Sequence, residues 1–151
     1  MKNTPYKYLL ASFILILCLN ACTHLPARHE ASLYDRLGGA PAVTAIIDDF
    51  LQQLRADPRL SSSFDHTDIP QFRTALIQQL CYATDGGCVY RGPAMPAAHV
   101  GLRIQPAQFD AWLHDMAIAL DANCATVREK NEVLGILFTM KHQIVAHAPP
   151  H

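Results

Sequence analysis

Apolar residues recur every three or four positions along most of the chain, a spacing that aligns side chains on one face of an α-helix. The clearest stretch runs from Ala40 to Ala56, where Asp and Gln residues separate the apolar positions. Gly38-Gly39 interrupts the chain before this stretch, and Asp57-Pro58 follows it. The inward positions are Val43, Ile46, Ile47, Phe50, Leu51 and Leu54. The pattern predicts an amphipathic helix with one buried face.

Three more stretches have the same periodicity. Asp68 can cap a helix that has Pro70 in its first turn and ends near Ala83. Another helix opens at Gln105-Pro106, and a last one is expected from about Ala125 to Ala146. A glycine-rich loop and a short helix, Ala94 to Val100, lie between the stretch that ends near Ala83 and the one that opens at Gln105. No segment alternates as a strand does, so the predicted fold is all-α.

Composition limits the chain to one domain and excludes one class of partner. Half of the 151 residues are hydrophobic, which is enough for one core but too few residues for two ordinary domains. The 12 basic and 13 acidic residues nearly balance, and no basic run is present. We therefore expect a single globular domain that does not bind nucleic acid.

The N-terminal segment is predicted to be an export signal. Lys2 and Lys7 precede an apolar run that is shorter than the roughly 20 residues of a transmembrane helix. The run ends in Leu19-Asn20-Ala21-Cys22, which resembles a bacterial lipobox. This implies a signal peptide at 1–21, acylation of Cys22, a tether over 22–31, a globular domain over 32–147 and a tail at 148–151.

Such a protein would be anchored through its lipid to a membrane outside the cytoplasm, because several acyl chains give stable attachment. Thr23, rather than Asp, after the cysteine favours the periplasmic face of the outer membrane. An ordinary secretory signal or an uncleaved anchor with a coincidental cysteine is the alternative.

Export also changes the interpretation of the remaining cysteines, because that compartment permits disulfides. Cys81 and Cys88 could close a short loop with a disulfide, could stay as free core thiols, or could bind zinc together with His99. The disulfide is the favoured hypothesis, since the zinc site would lack a fourth ligand. Cys124 is expected to pack near the start of the last helix.

Helical position separates the eight histidines. Four lie in the tether or tail: His24, His29, His147 and His151. His114 and His142 fall about 140° and 180° away from the apolar faces of their helices, so they should face solvent. His66 in a connection and His99 on the short helix remain.

A boundary histidine with a hydrogen bond is one interpretation of His99. A haem ligand is the other, because an apolar core can hold haem with a single nitrogen ligand.

Several motifs in order resemble group I truncated haemoglobins. They are Leu33-Tyr34-Asp35-Arg36-Leu37-Gly38-Gly39, Asp49-Phe50, Asp57-Pro58-Arg59-Leu60 with Phe64, and Gly86-Gly87 followed by Tyr90, Gly92, Met95 and His99. The resemblance implies a two-over-two helical sandwich around haem, with His99 as the proximal iron ligand. No C-x-x-C-H motif is present, so the expected cofactor is haem b. The expected haem-lining residues are Phe64, Phe72, Leu76, Met95, Ile104, Phe109, Trp112 and Met140.

The expected gas-binding side departs from the family pattern. Leu51 stands where many group I proteins have a tyrosine, and Leu76 stands where a glutamine is common. The distal pocket is then formed by Phe50, Leu51, Phe72, Leu76 and Trp112. Only the Trp112 indole N–H remains as an evident hydrogen-bond donor.

The resemblance implies a membrane-surface globin that binds O2, NO or CO, for oxygen binding or transport, NO detoxification or sensing. Turnover would need an electron donor that the sequence does not identify. Two alternatives stay open: an interaction lipoprotein with a degenerate globin domain, and a peroxidase-like redox protein. For the latter, His66 is the nearest acid–base candidate.

The apolar distal side predicts fast loss of O2 and easy autoxidation. O2 held by ferrous haem carries partial negative charge, and a good hydrogen bond to such an acceptor contributes roughly 1 to 3 kcal/mol. NO and CO depend less on this contact and should bind comparatively well. Stopped-flow measurement of the O2 dissociation rate checks the prediction, and a rate as slow as that of tyrosine-containing relatives would contradict it.

Overall fold

The computed structural model describes residues 30–145, and the regular elements in that range are helices. Seven α-helices follow one another: α1 Leu33–Leu37, α2 Gly39–Ala56, α3 Ile69–Ala83, α4 Met95–Ala98, α5 Pro106–Ala122, α6 Val127–Thr139 and α7 Lys141–Ile144. A 3-10 turn at Ser61–Phe64 lies between α2 and α3. The prediction of an all-α fold is confirmed for this part of the chain.

Side-chain caps begin several of these helices where the sequence supplies them. The Asp68 carboxylate accepts a hydrogen bond from the Gln71 amide at the start of α3, as predicted. Thr126 caps α6 in the same way through the Glu129 amide. Between α1 and α2, Gly38 adopts φ 108°, a left-handed conformation that a side chain would strain. These signals account for the boundaries of the long helices.

Helix α2 lies at the centre of the core. Val43, Ile46, Ile47, Phe50 and Leu54 are at most 1% exposed, so the whole predicted apolar face is buried. It packs mainly against α5 and α3, and buried Met116, Leu120 and Val133 complete the cluster from α5 and α6. This core holds α3 and α5 in place. The side chains on the other faces of these two helices are less buried.

The C-terminal helix differs from its prediction. A single helix over Ala125 to Ala146 was expected, but α6 ends at Thr139 and α7 begins at Lys141. The Thr139 hydroxyl donates to the Ile136 carbonyl and so competes with the helical hydrogen-bonding pattern at this end. Lys141 pairs with Asp110 of α5, which anchors the new turn to the neighbouring helix.

The segment that carries His99 is shorter than expected. A helix over Ala94 to Val100 was predicted, whereas α4 is a single turn and His99 follows it. Gly101 adopts φ 80°, where the chain turns away towards α5. His99 therefore lies at the end of a short element with few hydrogen bonds of its own.

Cys81 and Cys88 form a disulfide with their Cα atoms 5.8 Å apart. The bond joins the last turn of α3 to the loop that leads to α4. Gly86 lies inside this loop, where a Cβ atom would come 2.6 Å from the Tyr34 ring. Because both thiols are in the disulfide, the zinc alternative is excluded. Cys124 lies just before α6, near the start of the last helix as expected, but it is exposed rather than packed, at a turn with φ 59°.

The predicted export signal 1–21, the lipidated Cys22 and the tail 148–151 lie outside the described residues. His24, His29, His147 and His151 lie there too. Within residues 30–145, every helix is too short or too polar to cross a membrane.

Replacing Cys88 by Ser should lower the free energy of unfolding by roughly 2 to 3 kcal/mol, because the loop that the disulfide closes regains its chain entropy in the unfolded state. Urea unfolding of the oxidised protein measures this loss. Cys124→Ser, which removes an exposed free thiol, is the matched control. Equal stability of Cys88→Ser and wild type would show that the disulfide contributes nothing.

Candidate haem site

The His99 side chain is held by its neighbour four residues earlier. Its Nδ1 atom lies 2.8 Å from the carbonyl oxygen of Met95, and the side chain is only partly buried. A carbonyl oxygen can only accept, so Nδ1 must carry the proton. In the neutral ring the other nitrogen, Nε2, then has a free lone pair and can bind a metal. A hydrogen bond of this kind to the second ring nitrogen is usual in metal-ligating histidines.

The other described histidines differ from His99 in exposure. His114 and His142 face solvent, as their helical positions predict, and His66 is exposed as well. An exposed imidazole has no apolar surface around it on which a cofactor could be buried. Within residues 30–145, His99 is the histidine whose side chain is partly buried.

Large apolar side chains that are only partly buried project from α3 and α5. Phe72 and Leu76 project from α3 and Trp112 from α5, and all three pack on the buried core without joining it. Phe64, from the 3-10 turn, lies against Phe72 with ring centroids 5.4 Å apart. Partly exposed aromatic and aliphatic side chains of this size form the kind of apolar wall that a flat hydrophobic cofactor covers.

The residues expected deeper in the distal pocket belong to the buried core. Phe50 and Leu51 are buried, and Phe50 meets Trp112 edge-on at 4.8 Å. Phe109 is also buried and stacks on Trp112 at 6.4 Å. Trp112 is thus fixed from two sides, while its indole N–H donates to no residue of the described chain.

The other wall carries two sulfur atoms and a polar group that sequence reasoning missed. Met95, Ile104 and Met140 are partly buried. The side-chain nitrogen of Gln79 lies 3.4 Å from the sulfur of Met95 and 3.4 Å from the sulfur of Met140. Gln79 lies three residues after Leu76 and seven after Phe72, so it shares their face of α3. This helical spacing is the feature of the sequence from which the position of Gln79 on that face could have been predicted.

Two carboxyl groups, one on α2 and one on α5, have shifted pKa values. Arg73 of α3 donates to Asp48 of α2 at 2.5 and 2.8 Å, and this hydrogen bonding lowers the pKa of Asp48. Asp115 is buried with one carboxylate oxygen unpartnered, and burial raises its pKa. A raised carboxyl pKa means that folding favours the protonated form, so Asp115 contributes less stability as pH rises through that pKa. No cluster of three His, Cys, Asp or Glu side chains occurs in residues 30–145.

Comparison with known proteins identifies this arrangement. Residues 32–146 match the bacterial-like globin family, which is about three quarters of the chain. The chain belongs to the bacterial-like globin family. A group 1 truncated haemoglobin from Nostoc sp. (strain MUN 8820) is 28% identical over 115 residues, covering 76% of this chain and 98% of that protein.

Solved structures agree with the globin assignment. Ferric truncated haemoglobin from Tetrahymena pyriformis superposes with a TM-score of 0.75 at 26% identity, covering 78% of this chain and all of that one. The 2/2 haemoglobin of Synechococcus sp. PCC 7002, solved with covalently attached haem, gives a TM-score of 0.71 at 29% identity, covering 75% and 95%. The expected truncated-globin fold is confirmed, and membership of a globin family supports haem and gas binding.

Proposed function

We propose that this globin holds haem b through Nε2 of His99 and reversibly binds a diatomic gas. The observation that carries the proposal is the hydrogen bond between His99 Nδ1 and the Met95 carbonyl, which in the neutral ring makes Nε2 the nitrogen available to a metal. Haem iron held by His99 would supply the metal chemistry for binding O2, NO or CO.

The residues present fit a haem group. The partly buried side chains of Phe64, Phe72, Leu76 and Trp112 offer apolar surface on one side. Met95, Ile104 and Met140 offer it on the side of His99, and sulfur-containing side chains adapt well to an irregular hydrophobic partner. With Phe109 beneath Trp112, these are the residues proposed to line the haem. The absence of a C-x-x-C-H motif supports a non-covalent b-type haem.

The gas-facing side chains define what the site can do. Leu51, Phe72 and Leu76 cannot donate hydrogen bonds, and Trp112 has the free indole N–H described above. Such a site excludes water and offers a bound gas few hydrogen bonds. This favours rapid exchange of O2 over its tight storage. Oxygen binding or transport, sensing, and NO removal all use such exchange. The last of these also requires an electron donor, which we propose as a further partner.

We further propose that the protein is exported and anchored by acylated Cys22 to the periplasmic face of the outer membrane. The order of basic residues, apolar run and lipobox-like Leu19 to Cys22 supports this location. The Cys81–Cys88 disulfide supports it independently, because such bonds persist in oxidising compartments.

Absorption spectra of the ferric, ferrous and CO forms test haem binding by the domain. Wild type should show an intense Soret band that titrates to one haem per chain. His99→Ala should lose or strongly shift it because the iron loses its only protein ligand. His142→Ala, which removes an exposed histidine, should leave the spectra unchanged. Identical spectra for wild type and His99→Ala would refute the assignment, and a wild type without a Soret band would favour an interaction lipoprotein.

Metabolic labelling with a radioactive or clickable fatty acid tests the anchor in a bacterial host. The full chain should be labelled and recovered with outer membranes. Cys22→Ser should be unlabelled, whereas Cys18→Ser should behave as wild type. Label retained by Cys22→Ser, or a labelled protein found at the inner membrane, would contradict the corresponding part of the proposal.

A further inference from the structure

Gln79 is a polar side chain on an otherwise apolar face. It lies on α3 in line with Phe72 and Leu76, and it is partly buried. Its amide nitrogen makes two contacts, to the sulfur atoms of Met95 and Met140, each at 3.4 Å. The two methionines belong to different parts of the chain, one to α4 and the other to the junction between α6 and α7. One amide therefore joins three segments of the fold.

The segment that receives this contact has little structure of its own. Helix α4 is one turn long, has no side-chain cap, and is separated from α3 by an eleven-residue loop over 84–94. A single turn is unstable in isolation, because helix nucleation fixes several residues for one hydrogen bond. The position of α4 must therefore come from contacts with other elements.

Met95 connects Gln79 to His99. Its side chain accepts from the Gln79 amide, and its backbone carbonyl accepts from the His99 ring. A shift of Met95 would move the carbonyl that orients the imidazole. The same methionine thus links the helix of Phe72 and Leu76 to the histidine proposed to hold the iron.

We propose that Gln79 is a positioning residue that sets the placement of α4 and, through Met95, the orientation of the His99 ring. This inference rests on the proposed function, in which His99 binds haem iron. It assigns to Gln79 no contact with the gas. An amide nitrogen has two hydrogens, and the two sulfurs occupy both, so none is left to donate to a bound ligand.

Sulfur is a weak hydrogen-bond acceptor, and a weak contact suits the role of Gln79 in positioning α4. A methionine has three rotatable bonds and a polarisable sulfur, so its contact with the amide can be kept while the surrounding pocket adjusts to a cofactor. An apolar side chain at position 79 would pack on the methionines without fixing the direction of either one. Gln79 therefore provides directional contact where the remaining wall provides only packing.

The test compares Gln79→Met, which keeps side-chain length but removes both donors, with Gln78→Met at the exposed neighbouring position of the same helix. Hydrogen exchange in the haem-free protein follows the Ala98 amide, which donates to Ala94 within α4. Gln79→Met should speed this exchange by about two- to fivefold, because a hydrogen bond to sulfur is weaker than an ordinary one. Gln78→Met should exchange as wild type does.

Resonance Raman spectra of the haem-loaded ferrous protein give the second readout. Gln79→Met should shift or broaden the iron–histidine stretching band. It should leave the C–O stretching band of the bound CO unchanged. Bands and exchange rates equal to wild type would overturn the inference. So would a shifted CO band with an unchanged iron–histidine band, because the amide would then act on the gas.

The two proposals fail in distinguishable ways. A wild-type protein that takes up no haem refutes haem binding, whereas hydrogen exchange in the haem-free protein still measures the contact of Gln79 with α4. A protein that takes up haem normally but shows no response to Gln79→Met refutes the positioning role alone.

Discussion

The hydrogen bond between the His99 ring and the Met95 carbonyl decides which nitrogen of that ring is left to bind a metal. A backbone carbonyl cannot donate, so it places the proton on Nδ1 and leaves Nε2 as an electron-pair donor. The contact is local, between residues four apart, but α4 is a single turn and does not hold itself in place. The chemistry of His99 consequently depends on elements distant in sequence, namely the end of α3 and the junction of α6 with α7.

The core explains how such an open site can be supported. Helix α2 is buried along its whole apolar face and packs against both α3 and α5. These two helices are thereby fixed on one side and are free to carry partly exposed apolar residues on the other. Trp112 illustrates the arrangement, since Phe50 and Phe109 hold its ring while its indole N–H stays unpartnered within the described chain. A rigid framework of this kind can present a hydrophobic surface without collapsing onto it.

Periodicity was sufficient to predict the long helices and their faces, because burial of an apolar stripe dominates their stability. It failed where local geometry decides the outcome. The Thr139 side chain and the Lys141–Asp110 pair end α6 early, and neither is visible in a hydrophobic pattern. The exposure of Cys124 differs from expectation because it depends on a turn with positive φ. Gln79 was overlooked since a lone glutamine on a helix usually faces solvent, and its partners come from remote segments.

The two sides of the candidate site have different characters. The side of His99 is ordered by directional contacts, from Gln79 through Met95 to the imidazole. The opposite side is formed by apolar surfaces and one indole N–H. This asymmetry fits the proposed function, in which His99 holds the iron and the gas exchanges readily, and the Cys81–Cys88 disulfide fits the proposed export to an oxidising compartment.

The central claim is that His99 supplies the nitrogen that binds the haem iron, and chemical rescue measures it most directly. His99→Gly removes the ring and leaves a space into which free imidazole can diffuse. The ferrous spectrum of this variant should differ from wild type and should return to the wild-type form as imidazole is added. A ferrous His99→Gly spectrum that already equals wild type without imidazole would contradict the account.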